Sequence, residues 1–451
     1  MYALESFKPA YFIVSMGTIE TQAESQKFLD SIGLRPFNPP ELFEISRAFS
    51  RDLLGGLETP KNPGSLKMIE THLRSPSEQF IRSQEGEPYL ILEVGGTNVY
   101  AAETTIKDGK PVIVEEHGFP VEAKGKLTKI RFEESPDEFF KEFLSHVESI
   151  VRRRPYTSMG IIYSFPAEIV DTELGIDVNS QDELPKDFYI KDIHLKPVGM
   201  ALVEYMRKNG YDMSRMDTIV VENDTAATLL SVPGSKIGGI VGTGYNLAMM
   251  VGGKIYNLEC GGFKDVPQHT LSRELVEKNG NKEFQLAEKQ ISGKYLGIQL
   301  EKAIEKMNMY GIHLHKRKPK EDLDGTNITY ALKGNKENLL RDLEGNLDNR
   351  AMTYLKAVAE RLKERSYQLL ATKISTIIQT FPEEYIENDI SAPITIPIEG
   401  SVFWGIPYYK LNVQRIIAGE TKEAIFPEIK HAGVHGATIS ILGTQEPWQS
   451  R

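Results

Sequence analysis

The sequence predicts an α/β chain with an internal duplication, in which two similar units face each other across a cleft. The first observation is residues 90–106, LILEVGGTNVYAAETTI, which read as strand, glycine turn, strand. Leu90, Ile91, Leu92 and Val94 make a short apolar run suited to a buried strand. Gly95 and Gly96 allow backbone angles that other residues resist, and Asn98 tolerates the same region. The second observation is that residues 238–256, GGIVGTGYNLAMMVGGKIY, repeat the layout, with Gly242-Thr243-Gly244 as the turn and Asn246 after it. One such turn also closes an ordinary hairpin. Two copies far apart suggest a duplication. A glycine turn can aim several backbone N–H groups at one point, which is what a phosphate needs. The third observation is that strand-like and amphipathic helical stretches interleave along the chain.

The helical pattern begins at 18–54, where Phe28, Leu29, Ile32, Leu42, Ile45, Phe49 and Leu53 recur at helical spacing, interrupted by the prolines at 36–40. Residues 111–118 predict a strand, so three antiparallel strands stand in a row. Residues 135–151 predict an amphipathic helix with Asp137 and Glu138 in its first turn. MGIIYSFP at 159–166 is a strand ending at a corner, and Ser164 there can be a plain turn serine. A polar loop is expected from there to Phe188, then a helix at 194–208. DTIVVENDTAATLLS at 217–231 reads as a strand and a helix, with Asp224 and Thr225 at the helix start, where an N-cap would also place them. Glu259 follows a strand and precedes a Gly-Gly turn. Residues 284–309 and 351–381 predict helices, 314–349 charged surface pieces, 391–399 a strand before Gly400-Ser401, and 437–442 a final apolar run.

Composition bounds the rest. The chain has 451 residues, 40% apolar and 26% charged, which is ordinary for a globular protein. A net charge of −10 argues against a nucleic-acid partner. No run approaches the roughly 18 apolar residues of a membrane span, and the N-terminal stretch lacks the basic region of a signal peptide. A single cysteine, Cys260, excludes an intramolecular disulfide and a multi-cysteine metal site. A cytoplasmic location is the simplest expectation.

Phosphoryl transfer needs phosphates held by N–H groups, their charge met by a metal ion or basic group, and a carboxylate base beside the acceptor hydroxyl. The two glycine turns can supply the N–H groups and Asp224 the carboxylate. Ser164, Lys186, Asn223, Asn246 and Glu259 all fall near strand ends or glycine turns, where a polyhydroxy substrate would meet polar side chains.

The motifs resemble those of hexokinases, in the sugar kinase, actin and heat-shock ATPase fold superfamily. LEVGGTN at 92–98 is similar to the family's first phosphate motif, SFP at 164–166 to its sugar segment, and LPKDF at 184–188 to the segment whose lysine contacts sugar. ENDTAATLL at 222–230 resembles the catalytic Asn-Asp motif, IVGTGYN at 240–246 the second phosphate motif, and LECGGFKD at 258–265 the glutamate motif. SLKMIETHL, EKQISGKYLG and IEGS, the last similar to the adenosine motif, extend the match. The resemblance implies two α/β lobes of actin-like, ribonuclease H-like fold, each a mixed five-stranded sheet flanked by helices. The expected small lobe is 75–225 with 438–451, and the large lobe 1–74 with 226–437. It implies ATP-dependent phosphorylation of the 6-hydroxyl of a hexose, most simply glucose, by a monomer or homodimer. Asp224 would be the base and Lys186 would add positive charge at the reacting oxygens. Ser164, Phe165, Lys186, Asn223, Asp224, Asn246 and Glu259 would hold the sugar. Gly95, Gly96, Thr97, Asn98, Gly242, Thr243, Gly244, Gly400 and Ser401 would bind ATP, and Glu93 would serve Mg²⁺ through water.

The chain departs from the family pattern at several of these places. Glu93 replaces an aspartate, Tyr100 an arginine, Pro185 a sugar-contacting threonine in a lengthened loop, and Tyr245 a small residue. Ile298 stands where a sugar-contacting glutamate is expected, and Cys260 replaces a tryptophan. Two further readings follow: a kinase for another hexose or hexosamine, motivated by Ile298 and Pro185, and a catalytically weak sugar-binding sensor, motivated by Tyr245 and Tyr100.

Overall fold

Both predicted glycine-turn hairpins form. A computed structural model describes residues 16–59, 64–94, 98–120, 131–132, 135–165, 167–184, 188–278, 285–318, 321–386 and 392–447. The strands that place the site are β1 (Ile69–Glu70), β2 (Pro88–Val94), β3 (Asn98–Lys107), β4 (Lys110–Pro120), β5 (Ser158–Tyr163), β6 (Glu168–Thr172), β7 (Gly175–Asn179) and β8 (Thr218–Glu222), then β9 (Ile237–Val241), β10 (Tyr245–Val251), β11 (Lys254–Asn257) and β12 (Ile398–Glu399). The helices that matter here are α1 (Met16–Ser31), α2 (Pro39–Glu58), α3 (Pro136–Val151), α4 (Val198–Lys208), α5 (Asp224–Leu230), α6 (Gly293–Met307), α7 (Asn349–Thr380), α8 (Ser401–Gly405) and α9 (Ala432–Gln445).

One sheet has the order β4-β3-β2-β5-β8-β7-β6 and the other β1-β11-β10-β9-β12. In the first, β2, β5 and β8 run parallel, with Glu93 opposite Ile162 and Ile162 opposite Glu222. These strands therefore end together, and the residues after them leave from one edge. In the second, β9 and β12 are parallel with Ile240 opposite Glu399, so Gly242 and Gly400 also leave from one edge. Ligands in open α/β sheets bind outside such carboxyl ends. The central strands β5 and β8 are buried along their whole length, as parallel strands covered on both faces must be. Side-chain alternation sends Leu90, Leu92, Ile161 and Val221 toward α3 and α4, and Ile91, Ile162 and Val220 toward α5 and α9. A larger core gathers α1, α2, α6 and α7 on the second sheet.

Several elements differ from the sequence reading. The first sheet has seven strands where five were expected. The stretch after Ser164, expected as loop, contains the antiparallel hairpin β6–β7. Its acidic residues hide the strand period, yet they have structural reasons. Asp177 is fully buried, and its carboxylate accepts the N–H groups of Gly199 and Met200 at 2.8 and 2.9 Å, anchoring the start of α4. Gly175 sits at φ 124°, and a Cβ there would lie 2.6 Å from the Ile219 carbonyl oxygen, so the hairpin closes only with glycine. The stretch expected as one strand at 391–399 holds two short ones, Ile394–Thr395 and Ile398–Glu399, split at Pro397, which has no N–H to give. The closing apolar run is part of α9, and Thr438 lies inside it, its hydroxyl 2.7 Å from that of Thr104 on β3.

Helix α5 is wedged between the sheets at backbone contact. A Cβ on Gly436 of α9 would fall 1.6 Å from the Ala227 carbonyl oxygen, and one on Gly238 of β9 would fall 2.4 Å from the Leu229 Cα. Gly436→Ala should therefore force α9 and α5 apart. Overpacking of this kind costs about 1–3 kcal/mol or more. Gly405→Ala, where a Cβ meets open space, is the matched control. Chemical denaturation should show a lower midpoint for the first variant only.

Candidate active site

The N-cap of α5 is Asn223, whose side-chain oxygen accepts the Thr225 N–H at 3.0 Å. The cap is thus made by the residue before Asp224, and the Asp224 carboxylate is left for other work. It sits in the first turn, where the helix dipole favours negative charge. The Thr225 hydroxyl donates to its Oδ1 at 3.1 Å, and the Thr228 hydroxyl ties down its backbone carbonyl at 2.9 Å. Capping uses only the oxygen of Asn223, so its NH₂ group stays available as a donor.

Opposite stands a second polar group on the other sheet. Alternation along β10 sends Tyr245 into the core and Asn246 out of it. The Asn246 Nδ2 donates to Asn257 Oδ1 at 2.6 Å and to Glu259 Oε1 at 3.3 Å, and Asn257 Nδ2 donates to the same Glu259 oxygen at 2.9 Å. Asn246 Oδ1 in turn accepts the Cys260 N–H at 3.2 Å. Glu259 holds a left-handed backbone, φ 50°, which aims its carboxylate back at the two asparagines. Burial pushes the Glu259 carboxyl up, and Asp224 adds to the push, while Asn257, Lys67 and Asn246 oppose it.

Two more carboxylates complete the ring. Burial, then the charges of Glu399 and Asp224, push Glu93 at the end of β2 up to about 7. Burial also raises Glu399, whose Oε2 accepts the Gly433 N–H at 3.2 Å at the start of α9; Asp224 raises it further. Asp224 is therefore within electrostatic reach of Glu93 and Glu399 as well as Glu259, across both sheet edges.

The second glycine turn is built tightly beside them. The Gly242 N–H donates to the Gly244 carbonyl at 3.0 Å, and its own carbonyl accepts the N–H of Gly293, the first residue of α6, at 2.7 Å. Thr243 is exposed at the tip. Gly400, at φ 124°, lies against Val241, where a Cβ would fall 2.4 Å from the Val241 carbonyl. Ser401 opens α8 and is exposed.

Residues Gly95, Gly96, Thr97, Pro185 and Lys186 lie outside the described residues, and of Asn98 only the strand position is described. Ser164 closes β5, half-buried, with its N–H on the Val94 carbonyl at 3.3 Å. Phe165 is buried in the core with its ring 5.1 Å from that of Tyr163, so it forms a wall behind Ser164. Tyr245 is not in the glycine turn; its ring is core. Tyr100 donates to Glu116 and stacks on His431 at 4.9 Å, closing the edge beside Glu93 and Glu399. The sequence reading missed Asn257, Lys67 and Glu399. Lys67 and Glu399 lie inside the quoted motifs SLKMIETHL and IEGS, and Asn257 immediately precedes LECGGFKD.

Comparison with known proteins decides the family. Two hexokinase family profiles match residues 34–233 and 236–442. The chain belongs to the hexokinase family. It is 24% identical over 451 aligned residues to human Hexokinase-2, with 90% of this chain and 46% of that protein aligned. With mouse Hexokinase-1 it shares 27% over 286 residues, covering 57% of this chain and 28% of the relative. It thus spans about half the length of the curated hexokinases that it matches end to end. A solved hexokinase structure aligns with 93% of the chain at TM-score 0.73 and 21% identity. A Schistosoma mansoni hexokinase complexed with glucose aligns with 94% at TM-score 0.73 and 19% identity. These structures share its two-lobed, actin-like fold.

In this hexokinase site Asn257 holds two partners at once. Asn257→Ala leaves Glu259 one donor short in a buried place, a loss worth about 1–3 kcal/mol. Chemical denaturation should show that loss as a lower midpoint.

Proposed function

We propose that this chain transfers the terminal phosphoryl group of ATP to the 6-hydroxyl of a hexose, glucose first, giving hexose 6-phosphate and ADP. The observation that carries the reading is Asp224, freed from capping by Asn223 and surrounded by Glu93, Glu259 and Glu399 where the carboxyl ends of both sheets meet. Asp224 takes the proton of the 6-hydroxyl as its oxygen attacks the terminal phosphorus, and the bond to the leaving ADP oxygen breaks. Glu259, held by Asn246 and Asn257, accepts sugar hydroxyl protons, and Asn223 and Ser164 complete the sugar contacts. Thr243 and Gly244, in the turn that Gly242 closes, with Gly95, Gly96, Thr97 and Asn98 of the first turn, give N–H groups to the phosphates, and Gly400 and Ser401 border the nucleotide. Lys186 is assigned beside the reacting oxygens by its motif. The lobes are proposed to divide at 75–225 with 438–451 against the remainder, closing on the sugar to exclude water. The work is proposed to be cytoplasmic; no helix among the described residues is long and apolar enough to cross a membrane.

The donor set suits Mg²⁺ carried with ATP. The Asp224 charge raises Glu93 and Glu399, Glu399 raises Glu93, and a cation beside them would relieve that crowding. The ion would neutralise phosphate charge. Ile298 on α6, half-buried and apolar, supports a second reading, a kinase preferring another hexose or hexosamine. The sensor reading loses one motive, because the Tyr245 ring is buried away from the turn.

A coupled ADP-release assay with glucose, mannose, fructose, glucosamine and N-acetylhexosamines tests the proposal. Asp224→Ala should lower kcat by roughly 10²–10⁴-fold with sugar binding retained. Sugar binding without turnover in the unmodified chain would overturn it in favour of the sensor. Protons compete with the cation at Glu93, so the KM for Mg-ATP should rise as pH falls below about 7, by up to about tenfold per pH unit. Glu93→Gln should flatten that profile.

A further inference from the structure

Lys373 lies in the middle of α7, fully buried in the core of the second sheet. An ammonium in such a place is costly unless it is compensated. Among the described residues no carboxylate pairs with it. Its Nζ instead donates to the Cys260 carbonyl at 3.2 Å. It also lies 4.9 Å from the ring centre of Tyr245, 5.1 Å from that of Phe263 and 5.5 Å from that of Phe49. Three aromatic rings and one carbonyl, with the Cys260 sulfur close by, surround it among the described residues, an arrangement that suits a cation.

The carbonyl it holds follows Glu259. The Cys260 backbone is held on both sides: its N–H donates to Asn246 Oδ1 at 3.2 Å, and its carbonyl accepts Lys373 at 3.2 Å and the Phe263 N–H at 3.3 Å. These bonds directly follow the left-handed Glu259 backbone on which its carboxylate is presented. Tyr245 and Cys260 are two positions where the chain departs from the hexokinase pattern, and the fold brings both to Lys373. A small thiol leaves room for the lysine tip, and the Tyr245 ring caps it. Burial pulls the Lys373 ammonium down to about 8, with the Cys260 sulfur opposing.

We propose that Lys373 is a positioning residue for hexose binding: from inside the core it holds the Cys260 peptide and so sets the placement of Glu259. The inference rests on the sugar-kinase reading above. It does not touch the substrate, and its effect belongs to the sugar side of the site alone.

Lys373→Met keeps the length and removes the donor and the charge. Replacing a buried charge by an apolar isostere is often neutral or stabilising, so this variant should unfold at the same denaturant concentration or higher. Its KM for glucose, and its dissociation constant by calorimetry, should nonetheless rise at least tenfold, with kcat and the KM for ATP within about twofold of the unmodified chain. Lys373→Gln, which keeps a neutral donor on a shorter stem, should fall between the two. A glucose KM unchanged in both variants, or KM values for glucose and ATP that rise together, would overturn the inference. Should Lys373→Met not fold, Lys373→Gln decides on the same split. An unmodified chain that binds none of the hexoses overturns the sugar-kinase reading instead, which keeps the two failures apart.

Discussion

Helix α5 is held at backbone contact from two sides, and the rest of the site takes its position from that fact. Gly238 brings β9 of one sheet against Leu229, and Gly436 brings α9 of the other lobe's packing against Ala227. The absence of a Cβ on Gly238 and Gly436 is what permits so close an approach. With α5 so placed, Asp224 at its first turn stands between the carboxyl ends of both sheets. Interiors packed at this density do not deform gradually, so the carboxylate is fixed by the same contacts that join the two sheets.

The cleft is dominated by like charge. Burial is the largest cause that raises Glu93, Glu259 and Glu399; the Asp224 charge adds to all three and Glu399 adds to Glu93. The chain offsets this unevenly. Glu259 has two asparagine donors and the field of Lys67, and Glu399 has the Gly433 N–H. Glu93 has the least help and rests near neutrality. Such a ring favours a substrate that brings its own cation and hydroxyl donors, as a metal-bound nucleotide and a sugar do. Behind it, Glu222 is buried and pushed up to about 8 by desolvation, with the Ser440 hydroxyl on its Oε2 at 2.8 Å. At neutral pH it is largely a neutral acid, which is how it is tolerated beneath α9.

Departures from the family pattern separate once their places are known. Glu93 and Tyr100 face the cleft edge, with the Tyr100 hydroxyl within electrostatic reach of Glu93 and Glu399. Tyr245 and Cys260 face inward, around Lys373. In the sequence Tyr245 reads as an obstruction in a phosphate turn. In the fold it is the first residue of a strand, and period-two alternation turns it away from Asn246.

Local chemistry made much of this legible in the sequence alone. Glycine-containing stretches between apolar runs marked both strand pairs. The Asn-Asp pair after a buried strand marked the start of α5, and motif order identified the family and nominated Asp224, Asn246 and Glu259. Tertiary structure decided the rest. The β6–β7 hairpin was hidden because its acidic residues answer to partners far along the chain, as Asp177 does to α4. Lys67 and Glu399 joined the site only through approaches distant in sequence, whereas Asn257 lies 2 positions from Glu259 and 11 from Asn246, on the hairpin that joins them. Lys373 sits 113 positions from the carbonyl it holds, and no local pattern encodes a bond of that span. Propensity and turn chemistry act over a few residues, whereas burial and charge are set by whatever the fold brings alongside.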